Sequence, residues 1–244
     1  MEIEIISKET IRPSFPTPPH LKSYRLSLLD QLAPPIYVPI LLFYSADGFR
    51  TNEDHITMYN RLKKSLAETL TRFYPLAGKI NGDAYVELHD EAVIFPVPVT
   101  AVQLNVFSYG GISVGVYISH KMADGLTLAM FLNAWAETSR GVGETITPCL
   151  TSTTLFPPKD MHHRITPIDL IAKEKTVTKR FVFDVISLAT LKAKAAAKGS
   201  CIDNPTRVEA VTALISMSAK NATRGKSLHG KSSMVITHVV NLRA

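Results

Sequence analysis

Strand and helix signals alternate along this sequence without an internal repeat, and that alternation predicts an α/β fold: a mixed β-sheet flanked by helices. Two further observations support it. The 244 residues are 45% hydrophobic and 20% charged, enough apolar side chain for a sizeable core. One amphipathic helix also stands out among short β-rich runs. Its Leu62, Leu66, Leu70 and Phe73 line one stripe, and Lys63, Lys64, Glu68 and Arg72 fill the other face.

From the N-terminus, Ile3 to Ile6 reads as a short strand, and the proline-rich Pro13 to Pro19 as an extended surface segment. Ile36 to Tyr44 is a nearly continuous apolar run, as in a buried strand, with Pro39 arguing for an edge or a bulge. The Leu62 helix stops at Tyr74-Pro75-Leu76-Ala77-Gly78. Tyr85–Leu88 and Ala92–Phe95 read as a strand pair joined around His89-Asp90-Glu91. Ala101 to Phe107 alternates Val102, Leu104 and Val106 against Gln103 and Asn105, a half-buried strand. Gly110-Gly111 turns it back into a strand over Ile112 to Ile118, and Leu126 to Trp135 follows as a buried helix. Beyond a long connection, Thr145 to Ile171, a strand is expected over Thr178 to Phe183. Helices are expected over Ser187 to Ala197, with Gly199 as C-cap, and Thr206 to Ala219; a last strand falls over Met234 to Leu242.

Composition excludes several classes. Cys149 and Cys201 are the only cysteines, without a CxxC or a Cys/His cluster, so neither a disulfide scaffold nor a zinc site is expected. No apolar run is long enough to span a membrane, and the N-terminus lacks a secretory apolar core; a reduced, cytoplasmic protein is the expectation. Residues 1–122 carry 11 Lys/Arg against 12 Asp/Glu, whereas residues 171–244 carry 13 against 4. That local excess suits an anionic partner such as a phosphorylated cofactor, or else a solvated basic face. Nucleic acid is not expected, because the lysines at 192, 194 and 198 lie among alanines with no interleaved aromatic residue.

The segment that carries chemistry is Ile118-Ser119-His120-Lys121-Met122-Ala123-Asp124-Gly125, between a buried strand and a helix. A histidine at a strand end, with a pKa near neutrality, can take a proton from an attacking hydroxyl. Gly125, directly behind Asp124, would let the backbone turn sharply. From spacing alone Asp124 could orient His120 as in a triad, or serve as a structural anchor. A nucleophile elbow is absent, and His162-His163 has no third ligand at useful spacing, so neither a serine hydrolase nor a metal centre is expected. Asn221-Ala222-Thr223 matches a glycosylation sequon, idle without secretion.

His120 to Gly125 resembles the HxxxDG motif of the plant BAHD acyl-CoA-dependent acyltransferases. The resemblance continues, in order, through Ser7 to Pro13, Leu28 to Gln31, Val38 to Tyr44, Leu62 to Leu66, Phe73 to Gly78, Phe107 to Gly111, Lys179 to Phe183 and Asn241 to Arg243. The alkaloid-type branch is the most similar. A condensation domain of peptide synthesis would carry a second histidine at position 119, where this chain has Ser119.

The resemblance implies a chloramphenicol-acetyltransferase-like N-terminal domain spanning 1–244, with a tail from about 205 that begins the crossover toward a second domain. It implies an O-acyltransferase in which His120 is the general base, acyl-CoA (acetyl-CoA in the alkaloid branch) is the co-substrate, and no covalent acyl-enzyme forms. The acceptor would be a hydroxyl of an alkaloid or another specialised metabolite. Asp124 would be structural, paired with Arg243. Thr206 and Arg207, at a helix N-terminus in the basic third, could touch CoA phosphates or form a capping box with Glu209. Neither nucleic acid, membrane nor metal is implied, and the intact family is monomeric. The family is about twice this length and carries a DFGWG motif absent here, and about 40 further residues between the regions of Phe95 and Ala101. Two functional expectations therefore stand: an acyltransferase that is inactive or weak as this chain alone and prone to self-association, or a non-catalytic half-enzyme acting as a binding fragment.

Overall fold

A computed structural model describes residues 4–46, 51–82, 84–88, 98–141, 146–160, 177, 179, 181–196 and 202–224. The chain divides into two compact units, Met1–Leu170 and Ile171–Ala244.

In the first unit the elements run β1 (Ser23–Arg25), α1 (Leu28–Leu32), β2 (Tyr37–Tyr44), α2 (Asn52–Arg72), β3 (Lys79–Asn81), β4 (Tyr85–Glu87), β5 (Thr100–Val106), β6 (Ile112–Ser119), α3 (Gly125–Arg140) and α4 (Ser152–Leu155). They build two three-stranded sheets, ordered β1-β4-β3 and β2-β6-β5, with every pairing among the described residues antiparallel. The α/β class thus takes the form of antiparallel sheets flanked by helices.

The larger sheet explains why the alternation in the sequence mattered. Val38, Ile40 and Leu42 of β2 lie across β6 from Thr100, Val102 and Leu104 of β5, with Ile118, Val116 and Val114 between them. That face turns inward, and Val116 and Ile118 are almost wholly buried. The other face carries Leu41, Phe43 and Tyr117 and is exposed, so β2 is buried on one side only and not on both. Pro39 sits in the edge strand, where its missing N–H costs no ladder bond.

Helices α2 and α3 cover the inward face. Leu66, Leu70 and Phe73 join Leu128, Phe131, Ala134 and Trp135 in one cluster with the β6 valines. Burying a side chain such as Phe131 stabilises by roughly 1.5–3 kcal/mol. Polar pins fix the helix pair: Trp135 Nε1–H donates to Leu62 O (3.1 Å) and Ser65 Oγ (3.0 Å), and an Arg72 Nη2–H donates to Thr138 Oγ1 (2.7 Å). Helix α2 begins ten residues before its leucine stripe, because Thr51 and Asp54 form a capping box at its start. Gly141 ends α3 at φ 71°, the left-handed conformation that favours glycine.

Several expectations are corrected. Residues 4–6 form no strand; Ile5 and Ile6 are exposed, with no strand partner among the described residues. Strand β4 pairs with β1 and β3, two three-residue strands too short to show periodicity in sequence; residues 92–95, its expected partner, lie outside the described residues. The segment from Pro13 to Pro18 runs along α2, tied by Ser14 N–H to Ala67 O at 3.0 Å.

The second unit contains α5 (Val185–Ala195) and α6 (Arg207–Arg224), which pack on each other. Asp184 caps α5 by accepting the Ser187 N–H at 2.6 Å. The described residues of 177–183 form no strand, and Phe181 and Val182 are largely exposed. The expected C-cap Gly199, the strand over 234–242, the lysine at 198, Cys201 and the histidines at 162 and 163 lie outside the described residues. Asn221 to Thr223 falls within α6.

Candidate active site

The central strand β6 delivers His120. Ser119 N–H donates to Val99 O (2.9 Å) on the β5 side, and His120 N–H donates to Ile36 O (2.8 Å) on the β2 side, so the ladder holds the backbone up to the histidine itself. The chain then folds back, with the N–H groups of Met122 and Ala123 both donating to Ser119 O (3.0 and 3.1 Å). Asp124 follows in extended conformation and opens α3. The His120-to-Gly125 segment is therefore a strand–turn–helix junction.

His120 is half-buried. Its Nδ1 is enclosed and has no hydrogen-bond partner, while Nε2 is not among the enclosed, unpartnered atoms. A neutral imidazole in this setting can accept a proton at Nε2 provided that Nδ1 carries the ring hydrogen. Lys121, next in sequence, is 6% exposed. Burial pushes its ammonium pKa down, and the charge of Asp30 in α1 opposes that shift only in part. Asp30 also accepts from Ser27 N–H (2.8 Å) and Ser27 Oγ–H (2.7 Å), capping α1.

Asp124 acts locally. Its Oδ1 accepts the Thr127 N–H at 2.9 Å, making it the N-cap of α3. That use of the carboxylate was legible in neither the triad nor the anchor reading, although an Asp before an apolar helix is a cap signal. Gly125 is the first residue of α3. Its φ is not positive and a Cβ there would meet nothing within 4 Å, so the sharp turn expected of it does not depend on glycine. Arg243 lies outside the described residues.

Thr206 and Arg207 belong to the second unit. Thr206 N–H donates to Glu209 Oε2 (2.6 Å) and Glu209 N–H donates to Thr206 Oγ1 (3.2 Å), a reciprocal capping box. These bonds lower the Glu209 carboxyl pKa, so a carboxylate already occupies that helix end. Among the described residues no group of His, Cys, Asp or Glu could hold a metal ion, and no helix is long and apolar enough to cross a membrane.

Sequence reasoning did not single out Thr100, whose enclosed Oγ1 has no hydrogen-bond partner, or the buried Lys121. The signal for Thr100 was present: extending the Val102–Leu104–Val106 alternation back one step places it on the inward face.

Comparison with known proteins agrees with this architecture. The chain matches the Transferase family over residues 1–97 and 83–244. Vinorine synthase of Rauvolfia serpentina is 36% identical over 285 aligned positions, covering 100% of this chain and 66% of the relative. Salutaridinol 7-O-acetyltransferase of Papaver somniferum is 35% identical, covering 99% and 62%. The chain thus spans less than two thirds of these relatives' length. Because 285 positions exceed the chain's 244 residues, the alignment also contains gaps opposite residues of the relative. The overlap of the two family matches falls in the region where the sequence suggests a shortening. The crystal structure of vinorine synthase superposes with TM-score 0.73 at 33% identity, over 91% of this chain and 61% of that one. A TRI101 structure from F. graminearum, complexed with coenzyme A and deoxynivalenol, shares the fold alone at TM-score 0.59 and 17% identity, over 84% and 62%. With the family match running across the whole sequence, this chain belongs to the Transferase family, the BAHD acyltransferases.

Proposed function

We propose that this chain carries the catalytic-base half of an acyl-CoA-dependent O-acyltransferase. The observation that carries the reading is the position of His120, held by the sheet ladder at the end of the central strand, with Nε2 the less enclosed nitrogen. His120 Nε2 takes the proton of an acceptor hydroxyl as the oxygen attacks the thioester carbonyl. The tetrahedral centre then collapses with expulsion of the CoA thiolate, which the imidazolium protonates. No covalent acyl-enzyme is needed, and the base returns to its starting state.

The name of the relative salutaridinol 7-O-acetyltransferase supports a hydroxyl acceptor and acetyl as the acyl group; a hydroxyl-bearing specialised metabolite as acceptor, in a cytoplasmic setting, completes our reading. Asp124 holds the turn behind the base from the start of α3, and we assign Arg243 as its ionic partner. The whole of 1–244 reads as the N-terminal acyltransferase domain. CoA phosphates would meet Thr206 in competition with Glu209, which now caps that helix end, while the Arg207 side chain could meet them with the cap in place.

The other expectation from the sequence, a non-catalytic half-enzyme acting as a binding fragment, is the alternative. The two separate in one experiment, transfer of labelled acetyl from acetyl-CoA to a hydroxyl-bearing alkaloid by the chain as purified. Transfer that His120→Ala abolishes supports the first reading; binding without transfer supports the second.

A further inference from the structure

Two enclosed polar atoms that lack hydrogen-bond partners lie at the same end of the same sheet: Thr100 Oγ1 and His120 Nδ1. The register sets Thr100 opposite Ile118, whose side chain faces inward at 0% exposure. His120 stands two residues beyond Ile118, and its N–H still joins the ladder through Ile36 O. Side chains two apart on a strand share a face, so His120 returns to the face of Thr100 as its diagonal neighbour. Diagonal neighbours in an antiparallel pair stand about 7–8 Å apart, a gap that a hydroxyl and an imidazole reaching from both sides narrow to one that a water can bridge.

The chemistry of the two groups is complementary. A neutral imidazole bears a single N–H, and only the Nδ1–H form leaves Nε2 able to accept a proton. Buried, that N–H needs an acceptor, and a threonine hydroxyl offers lone pairs for it. We propose that Thr100 is a positioning residue for His120: one water accepts the Nδ1–H and donates to the Thr100 Oγ1, and so fixes the tautomer that leaves Nε2 free. This rests on the reading of His120 as the general base, and it adds a residue outside the His120-to-Gly125 segment.

The test reads the tautomer and not turnover. In the 244-residue chain labelled with ¹⁵N-histidine, with His120 assigned by the His120→Gln variant, long-range ¹H–¹⁵N spectra report which ring nitrogen is protonated. The wild type is expected to show Nδ1 protonated. Thr100→Val, isosteric and compatible with a strand, should move His120 toward the Nε2–H form, and Thr100→Ser should restore the wild-type pattern. Far-UV circular dichroism and the Tm of Thr100→Val serve as the folding control. If Thr100 is only a strand residue with an idle hydroxyl, the valine should raise Tm and leave the His120 spectrum unchanged. That outcome, or a wild-type His120 protonated at Nε2, overturns the proposal. Undiminished acetyl transfer by His120→Ala would overturn the base reading instead, leaving the tautomer result as an independent fact.

Discussion

At the scale of single residues, Asp124 has one structural job on view and a second that we propose. Asp124 caps α3 through the Thr127 N–H, and a cap of this kind is worth about 1 kcal/mol. An ion pair with Arg243 would add more. Asn at position 124 retains the capping oxygen and discards the charge, so Asp124→Asn separates the two contributions. With the pair in place, chemical denaturation of Asp124→Asn should show a loss of about 2–3 kcal/mol, below the roughly 3–5 kcal/mol of a fully buried broken pair because Asp124 is half-buried. A loss of a few tenths would leave the cap as the residue's whole role. His120 was legible because His120 to Gly125 resembles the HxxxDG motif and follows an apolar strand; its spacing to Asp124 alone is a weak signal. The enclosed Nδ1 and the buried Lys121 were not, since both depend on what the sheet and α1 bring around the turn, which is non-local.

At the scale of elements, length and periodicity decided what could be read. Strands β5 and β6 carry their patterns over seven residues or more and were legible nearly to the residue, whereas α2 was legible only from Leu62 onward, ten residues after its start. Strands β1 and β3 are three residues long, and no alternation can show in so short a run. The apolar stretch of β2 looked doubly buried because Leu41 and Phe43 are as apolar as Ile40 and Leu42; sequence alone does not say that one face stays open. At α6, the same Thr206-x-x-Glu209 pattern suits a cap or an anion site, and the observed reciprocal bonds show the cap formed. Glu209→Gln keeps an acceptor at the helix start and removes its negative charge. If CoA phosphates use this helix end, the variant should bind CoA several-fold more tightly in calorimetry, since a competing carboxylate is gone. Unchanged affinity would confine Thr206 to capping.

At the scale of the whole molecule, the outer face of the β2-β6-β5 sheet dominates the expected behaviour. Leu41 is 58% exposed and Phe43 68%, and the half-exposed Tyr117 stacks on Tyr37 at 5.0 Å beside them. A contiguous apolar surface of this kind favours association. The purified chain should therefore sediment as oligomers that dissociate when Leu41→Gln and Phe43→Lys are combined. A wild-type monomer across the accessible concentration range would show that the face is tolerated in water.

Single-turnover acetyl transfer reads out whether His120 is the base of an acyl-CoA-dependent transfer. With the chain in excess over labelled acetyl-CoA and a hydroxyl-bearing alkaloid present, even a slow enzyme yields a measurable product. Labelled ester is expected to form without label on the protein, at a rate that His120→Ala lowers by roughly 10²–10⁴-fold while circular dichroism is unchanged. Ester formed by His120→Ala at the wild-type rate, or acetyl found covalently on the protein as an intermediate, would contradict it.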